Sequence, residues 1–410
     1  QRALAYQRAK NVSDTNAFGT LENLYQSGKE WFLQSTLSYP LKETNFRILV
    51  GGERCLQPYS MSVFNISAMS FGSLSAAAIE ALNQGAKLGG FAHDTGEGAI
   101  SPYHKKHGGD LIWELGTGYF GCRNHDGTFS AEKFAERSRI EQVKMIEIKL
   151  SQGAKPGKGG VLPKEKITPE IAETRDVPMD ADCVSPASHS AFTTPREMVQ
   201  FWQQLRELSG GKPVGFKLCV GQPWQFMAIV KAMIETDNYP DFIVVDGAEG
   251  GTGAAPVEFM DNVGMPLLDG FLLVHNTLVG AGVRDKIKIG VSGKIISAFD
   301  IARMLALGAD WCNSARGFMF AVGCIQSRAC HTNKCPTGVA TQDPYRQRAL
   351  HIPDKAQRVY NFHKNTLKSL AAIVGAVGLK HPKDLQAYHI ARRLENGQIK
   401  LLSKFYYFTE

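Results

Sequence analysis

The sequence predicts an α/β protein built as a closed (β/α)8 TIM barrel. Three observations carry that prediction. Short apolar runs recur along the chain, helical patterns separate several of them, and glycine clusters follow most of the runs. Continuous apolar strands alternating with amphipathic helices mean a parallel sheet covered on both faces. Eight candidate strands are the number that closes a barrel. An open doubly wound sheet is the alternative, but the first strand is not followed by its G-x-G-x-x-G fingerprint.

The candidate strands, in order, lie in 62–68 (SVFNISA), 89–94 (GGFAHD), 144–150 (KMIEIKL), 181–185 (ADCVS), 213–220 (PVGFKLCV), 241–247 (DFIVVDG), 286–293 (KIKIGVSG) and 310–315 (DWCNSA). Helical periodicity marks SLSAAAIEALNQGAKLG, TPREMVQFWQQLREL, PWQFMAIVKAMIET and SAFDIARMLALGA between them. Residues 1–60 read as an N-terminal extension laid over the barrel, 61–345 as the barrel with its cysteine loop, and 346–410 as a C-terminal helical extension. An inserted excursion of about residues 95–143 is expected after the second strand.

Composition narrows the function. With 410 residues, 43% of them hydrophobic, the chain can bury a large core. A formal charge of +7 is mildly basic, and the densest basic patch is only YHKKH at 103–107, which argues against nucleic-acid binding. Eight cysteines in a chain of this length do not make a disulfide scaffold, so a reducing cytoplasmic setting is expected. No apolar run is long enough to span a bilayer. The chain starts at Gln1, which leaves room for a membrane anchor upstream as a further expectation.

Barrels gather function at the C-terminal ends of their strands. The glycine clusters GEGA, GAKPGKGG, GAEGGTGAAP and GVSGK fall there. Gly293, Lys294, Arg316 and Gly317, after the last two strands, supply backbone N–H groups and two cations for a phosphate-bearing cofactor. Lys217, ending GFKL, is placed to direct its ammonium at the electron-rich edge of a cofactor ring or to pair with a carboxylate. Lys155 and Arg175 are two further cations of the kind a dicarboxylate needs.

Cys324, Cys330 and Cys335 crowd into CIQSRACHTNKCPTG. Zinc knuckles space their cysteines more closely and need a fourth ligand. Soft thiolates in a polar loop, the last followed by proline, favour an iron–sulfur cluster, ahead of zinc and of inert thiols.

The motifs SAMSFGSLS, DTGEGA, EIKLSQGAKPGKGG, GGTGAAP and GCIQSRACHTNKCPTGVATQ resemble, in the same order, the synthase domain of the glutamate synthase family. The resemblance covers about residues 60–345 and implies FMN and a [3Fe-4S] cluster, the cluster held by Cys324, Cys330 and Cys335. It implies FMN contacts from Ser67, Ala68, Met69, Ser70, Thr95, Gln152, Lys217, Gly250, Gly251, Thr252, Gly253, Gly293, Lys294, Ala315 and Arg316. Lys155, Arg175 and Glu97 form the implied catalytic set, the first two holding the carboxylates of 2-oxoglutarate.

The implied reaction is reductive amination of 2-oxoglutarate through 2-iminoglutarate to L-glutamate, by an oxidoreductase of the CH–NH2 class. A glutamine amidotransferase portion does not precede residue 60, so free ammonia or a partner-supplied amine is expected. Val161 stands where the family loop carries glutamine, and Ala315-Arg316 where it carries glycine-threonine. The first difference motivates an alternative, the same cofactors acting on another amine or oxo acid, as in N-methylglutamate-forming relatives. A cofactor-bearing electron-transfer subunit without turnover is another. An IMP-dehydrogenase-like reaction leaves the cysteine spacing unexplained. A small acidic ferredoxin is the expected electron donor, since a mildly basic surface attracts one.

Overall fold

The computed structural model describes residues 1–15, 17 and 19–406. Eight parallel strands close into a barrel: β1 (Phe64–Ile66), β2 (His93–Asp94), β3 (Leu111–Leu115), β4 (Val143–Lys149), β5 (Val214–Leu218), β6 (Phe242–Asp246), β7 (Lys288–Ser292) and β8 (Trp311–Ser314). Each pairs with its sequence neighbour, and β8 returns to β1 with Cys312, Asn313 and Ser314 opposite Phe64, Asn65 and Ile66.

The barrel bears out the predicted fold, with one change of strand. LIWEL, inside the expected excursion, is β3, whereas ADCVS forms only a two-stranded antiparallel ladder of Cys183–Val184 with Val161–Leu162. The glycine-rich loop Ser151–Gly160 therefore follows the fourth strand, not the third. LIWEL is short and carries Glu114 at its fourth position, which breaks an apolar pattern. Inside the barrel that carboxylate is neutralised by Lys217, and the strand becomes tenable. Beyond β3 the chain makes an isolated antiparallel bridge between Arg123 and Phe129.

Helix α1 (Arg2–Ala9) begins the chain, and α2 (Ala76–Gly89) follows β1, capped by the Ser75 side chain accepting from Ala78 N. Then come α3 (Pro169–Arg175), α4 (Pro195–Leu208), α5 (Pro223–Thr236) and α6 (Leu267–Gly280). Reciprocal caps start α4 (Thr194 with Glu197) and α7 (Ala298–Ala306; Ser297 with Asp300). Helix α8 (Arg316–Val322) leads into the cysteine loop.

Helix α9 (Ile352–Val377) lies along α2, where a Cβ on Gly85 would come within 2.4 Å of Val359 Cγ1. The long helix of the C-terminal extension thus packs on the helical wall of the barrel. The C-terminal tail also carries strands, however. Ile390–Arg393 pairs with Glu30–Phe32 and Ile399–Leu401 in an antiparallel sheet, which knits the two extensions together.

A hairpin of Arg47–Val50 and Tyr59–Ser62 plugs the N-terminal end of the barrel. Its Val50, Tyr59 and Met61 form an apolar layer with Ile112, Met145, Phe242 and Trp311 from the strand starts. That seal leaves the opposite, C-terminal mouth as the open end. No helix among the described residues is long and apolar enough to cross a membrane.

Candidate active site at the barrel mouth

Several strands carry one charge in an otherwise apolar run, and the barrel gathers those charges. Lys217 on β5 pairs with Glu114 on β3, and its Nζ lies 3.2 Å from Glu147 Oε1 on β4. Lys149 on β4 lies 3.2 Å from Glu97 and 3.9 Å from Glu114, and also donates to Gln152 Oε1. Among the described residues, Asp94, Glu114 and Glu147 are the one group of three or more acidic, histidine or cysteine side chains whose potential ligand atoms converge within 4.8 Å.

Neither oxygen of Glu147 receives a well-directed hydrogen bond from a donor, despite the nearby ammonium. Burial pushes this carboxyl far up, and Asp94 beside it pushes it further. Burial thus favours the neutral form of Glu147, next to an Asp94 that burial also raises. Of these partners only Lys217 was singled out from the sequence, where a paired lysine was one of its two readings. The missed signal was the carboxylate inside each of two strand-forming runs, Glu114 in LIWEL and Glu147 in KMIEIKL.

The second constellation surrounds Glu97. Burial would raise its carboxyl, but Lys149, Arg175 and Lys155 outweigh that and hold it below the ordinary value. Glu97 thus stays ionised among three cations. Its place depends on Gly160: a Cβ there would stand 1.8 Å from Glu97 Oε1.

Lys155 is 4% exposed, and burial, the largest influence, lowers its ammonium pKa. It has no ion pair within 4 Å among the described residues. Arg175, also 4% exposed, donates to Phe71 O (2.8 Å) and Ser70 Oγ (3.4 Å), while its Nε has no partner. It too lacks a carboxylate ion pair among the described residues. Two nearly buried cations without bonded anions are a receptor for one. Beside them runs a cleft lined by Glu97, Thr117, Lys149, Gln152, Gly159 and Gly160.

The remaining expected cofactor residues line the rim. Ser67, Ala68, Met69 and Ser70 leave β1, with Ser67 N donating to Ser314 O at 3.1 Å. Gly250, Gly251, Thr252 and Gly253 follow β6, Gly293 and Lys294 follow β7, and Ala315 and Arg316 follow β8. A Cβ on Gly253 would meet nothing within 4 Å, and one on Gly251 only Arg316 Nη2 at 3.9 Å. These glycines thus face open space with an arginine beside it. Lys294 and Arg316 have no carboxylate ion pair among the described residues. Open backbone with two uncommitted cations suits a phosphate-bearing group. Thr95 differs: its hydroxyl is fully buried, donating to Gly96 O and accepting from Glu114 N. It holds the loop and offers no free hydroxyl.

The cysteine loop lies directly after α8. Cys324 and Cys330 are half-buried, and burial raises both thiols. Burial pushes Cys335 up as well, but donors from Ala340, Thr337 and Val339 outweigh it and lower this thiol. A tetrahedral zinc site with Zn–S of about 2.3 Å sets its sulfurs about 3.8 Å apart. The three thiols do not converge within 4.8 Å, so this arrangement does not fit one shared ion. Tyr6 of α1 donates to Cys324 O at 2.5 Å and Arg2 to Ile325 O at 3.3 Å, so the N-terminal helix braces the loop.

Fold and site together define a (β/α)8 protein with a sealed bottom and a mouth that carries cations without ion-paired carboxylates among the described residues. A family model described as "Conserved region in glutamate synthase" matches residues 24–380, and the chain belongs to that family. It is 42% identical over 353 residues to the glutamate synthase large subunit-like protein YerD of Bacillus subtilis, covering 86% of this chain and 67% of the relative. It is 33% identical over 340 residues to the archaeal-type glutamate synthase [NADPH] of Thermotoga neapolitana, covering 82% and 64%. The chain thus spans about two thirds of the length of these relatives. Among solved structures, a flavocytochrome b2 mutant with pyruvate bound shares the fold, with a TM-score of 0.53 and 13% identity over 95% of this chain and 82% of that one.

Proposed function

We propose that this chain is the synthase portion of an FMN- and iron–sulfur-dependent oxidoreductase that reductively aminates 2-oxoglutarate to L-glutamate. The carrying observation is the pair of nearly buried cations, Lys155 and Arg175, without ion-paired anions beside the ionised Glu97. Family membership supports the reaction class, and the open glycines beside Arg316 suit the FMN phosphate.

FMN would be held by the rim loops Ser67–Ser70, Gly250–Gly253, Gly293–Lys294 and Ala315–Arg316, with Gln152 and Lys217 as the further expected contacts, and the cluster would be held by Cys324, Cys330 and Cys335. When bound, FMN supplies a hydride and the cluster a one-electron relay. Lys155 and Arg175 each engage a carboxylate of the substrate and so fix the orientation of C2. Condensation of ammonia at C2 releases water and gives 2-iminoglutarate, and hydride addition at C2 with protonation of nitrogen completes the amino acid. Glu97, held ionised by Lys149, is placed to accept a proton from the incoming ammonium and to steady the protonated imine.

The electron donor in this reading is a small acidic ferredoxin. Arg328, His331 and Lys334 are exposed in the cysteine loop, and residues 324–338 contain no carboxylate. The archaeal-type relatives carry NADPH in their names, so NADPH is the competing donor in the test.

Anaerobically purified protein is reduced and mixed in a stopped-flow instrument with 2-oxoglutarate, alone and with ammonia or methylamine. Flavin reoxidation dependent on 2-oxoglutarate and ammonia supports the reading; a protein without flavin or iron refutes it. Val161 favours a second reading, an N-alkylated product. It is 36% exposed beside the cleft glycine Gly160 and opposite the 60% exposed Val184, making an apolar lip suited to an alkylamine. Faster reoxidation with methylamine than with ammonia selects it.

A further inference from the structure

Lys166 lies in the turn between the glycine-rich loop after β4 and helix α3. Its side chain is almost wholly inside, the residue being 2% exposed. Nζ donates to Ser73 O at 2.7 Å, Cys330 O at 3.3 Å and Ala340 O at 3.5 Å. Those carbonyls come from the loop after β1, the cysteine loop and the segment that follows it. All three donors of the ammonium are used, so Lys166 is satisfied as a hydrogen-bonding group.

It is not satisfied as a charge. Among the described residues no carboxylate pairs with it. Burial lowers its ammonium pKa to about 8, the thiols of Cys330 and Cys335 act the other way, and Arg175 repels it. A buried cation held only by carbonyl dipoles is costly, and natural proteins place a counter-charge beside one. Protein thiols supply that charge when they become thiolate ligands.

We propose that Lys166 is the counter-ion of the iron–sulfur group held by Cys324, Cys330 and Cys335, raising its reduction potential while tying the cysteine loop to the barrel loop Ser67–Ser75. This rests on the cluster reading given under Proposed function. Reduction adds one electron, hence one negative charge, to a group that is already anionic. A fixed cation in a low-dielectric setting stabilises the reduced form more than the oxidised one, so the midpoint rises. The hydrogen bonds to Ser73 O and Cys330 O also make Lys166 a direct strut between the two proposed cofactor loops. It is a positioning residue, not a catalytic one.

The test is an EPR-monitored redox titration, with iron analysis, of anaerobically prepared wild type and the variants Lys166→Met, Lys166→Gln and Lys166→Arg. The expected result is a more negative midpoint in whichever neutral variants retain iron, with the arginine variant near wild type. Loss of iron from both neutral variants but not from the arginine variant also supports a required charge. An unchanged midpoint in an iron-replete neutral variant overturns the proposal, as does equal iron loss from all three variants. Wild-type protein without iron overturns the cluster reading itself, which separates the two failures.

Discussion

The Lys149 ammonium, at the end of β4, lies 3.2 Å from the Glu97 carboxylate in the loop after β2. That contact joins two networks: the buried ring of Lys217, Glu114 and Glu147 below, and the cations Lys155 and Arg175 beside the cleft. The same lysine thus faces Glu114 in the barrel interior and Glu97 at its mouth.

Glu97→Gln removes the anion amid three cations while keeping the side chain's shape. kcat for reductive amination should fall by about 10²-fold or more, the usual loss for a proton-transfer group. KM for 2-oxoglutarate should not rise, because the cations become freer to hold a dianion. Steady-state kinetics decide this; an increase in KM with unchanged kcat contradicts the assignment.

Lys155→Met and Arg175→Met each delete one charge-assisted contact to substrate, worth about 1.5–3 kcal/mol. KM for 2-oxoglutarate should rise by about 10- to 100-fold while the bound flavin spectrum stays as in wild type. Loss of flavin would instead place these residues in the cofactor site.

Lys217→Met leaves the buried Glu114 without its closest ammonium, with only Lys149 at 3.9 Å remaining. Breaking such a pair from one side costs about 3–5 kcal/mol. A clear drop in Tm is expected, with part of it restored in the Lys217→Met/Glu114→Gln double variant. A Tm within experimental error of wild type would show that the pair adds nothing to the fold.

The raised Glu147 carboxyl fixes the sign of a pH effect. The native protein keeps a proton that the unfolded chain releases above about pH 4.3. Stability contributed by this group is therefore fully present below that pH and declines as pH climbs toward the higher native value. Glu147→Gln, which mimics the protonated form, should flatten the decline in a series of denaturant titrations. An equally steep slope in the variant contradicts a protonated Glu147.

Much of this architecture was legible because it is written in local pattern. Apolar runs such as FIVVD and KIGVS match β6 and β7, and the TPREM start of α4 carries its own capping box. The swap of LIWEL for ADCVS was not legible, because Glu114 looks unsuited to a barrel interior until Lys217 arrives from a strand about a hundred residues away. LLDGFLLVHNTLVG, which forms α6, likewise shows no helical signal in the sequence. It is apolar on most sides, and helical periodicity shows only when a polar face contrasts with it.

The site divided along the same line. Lys155, Arg175 and Glu97 stand out in the sequence through the family motifs, and the fold sets the two cations near the Glu97 carboxylate. Lys149, Asp94 and Glu147 do not, since each matters only through partners on other strands. Lys166 escaped notice for the same reason: it stands in a polar turn, and only the folded chain buries it against Cys330 and Ser73.

The most direct test of the central claim is a single-turnover measurement on anaerobically reduced enzyme, following flavin absorbance and glutamate formed. The account predicts reoxidation on adding 2-oxoglutarate with ammonia, at least tenfold faster than with either alone, yielding one L-glutamate per flavin. Reduced flavin that persists in the presence of both, in a protein carrying its full flavin and iron, would contradict it.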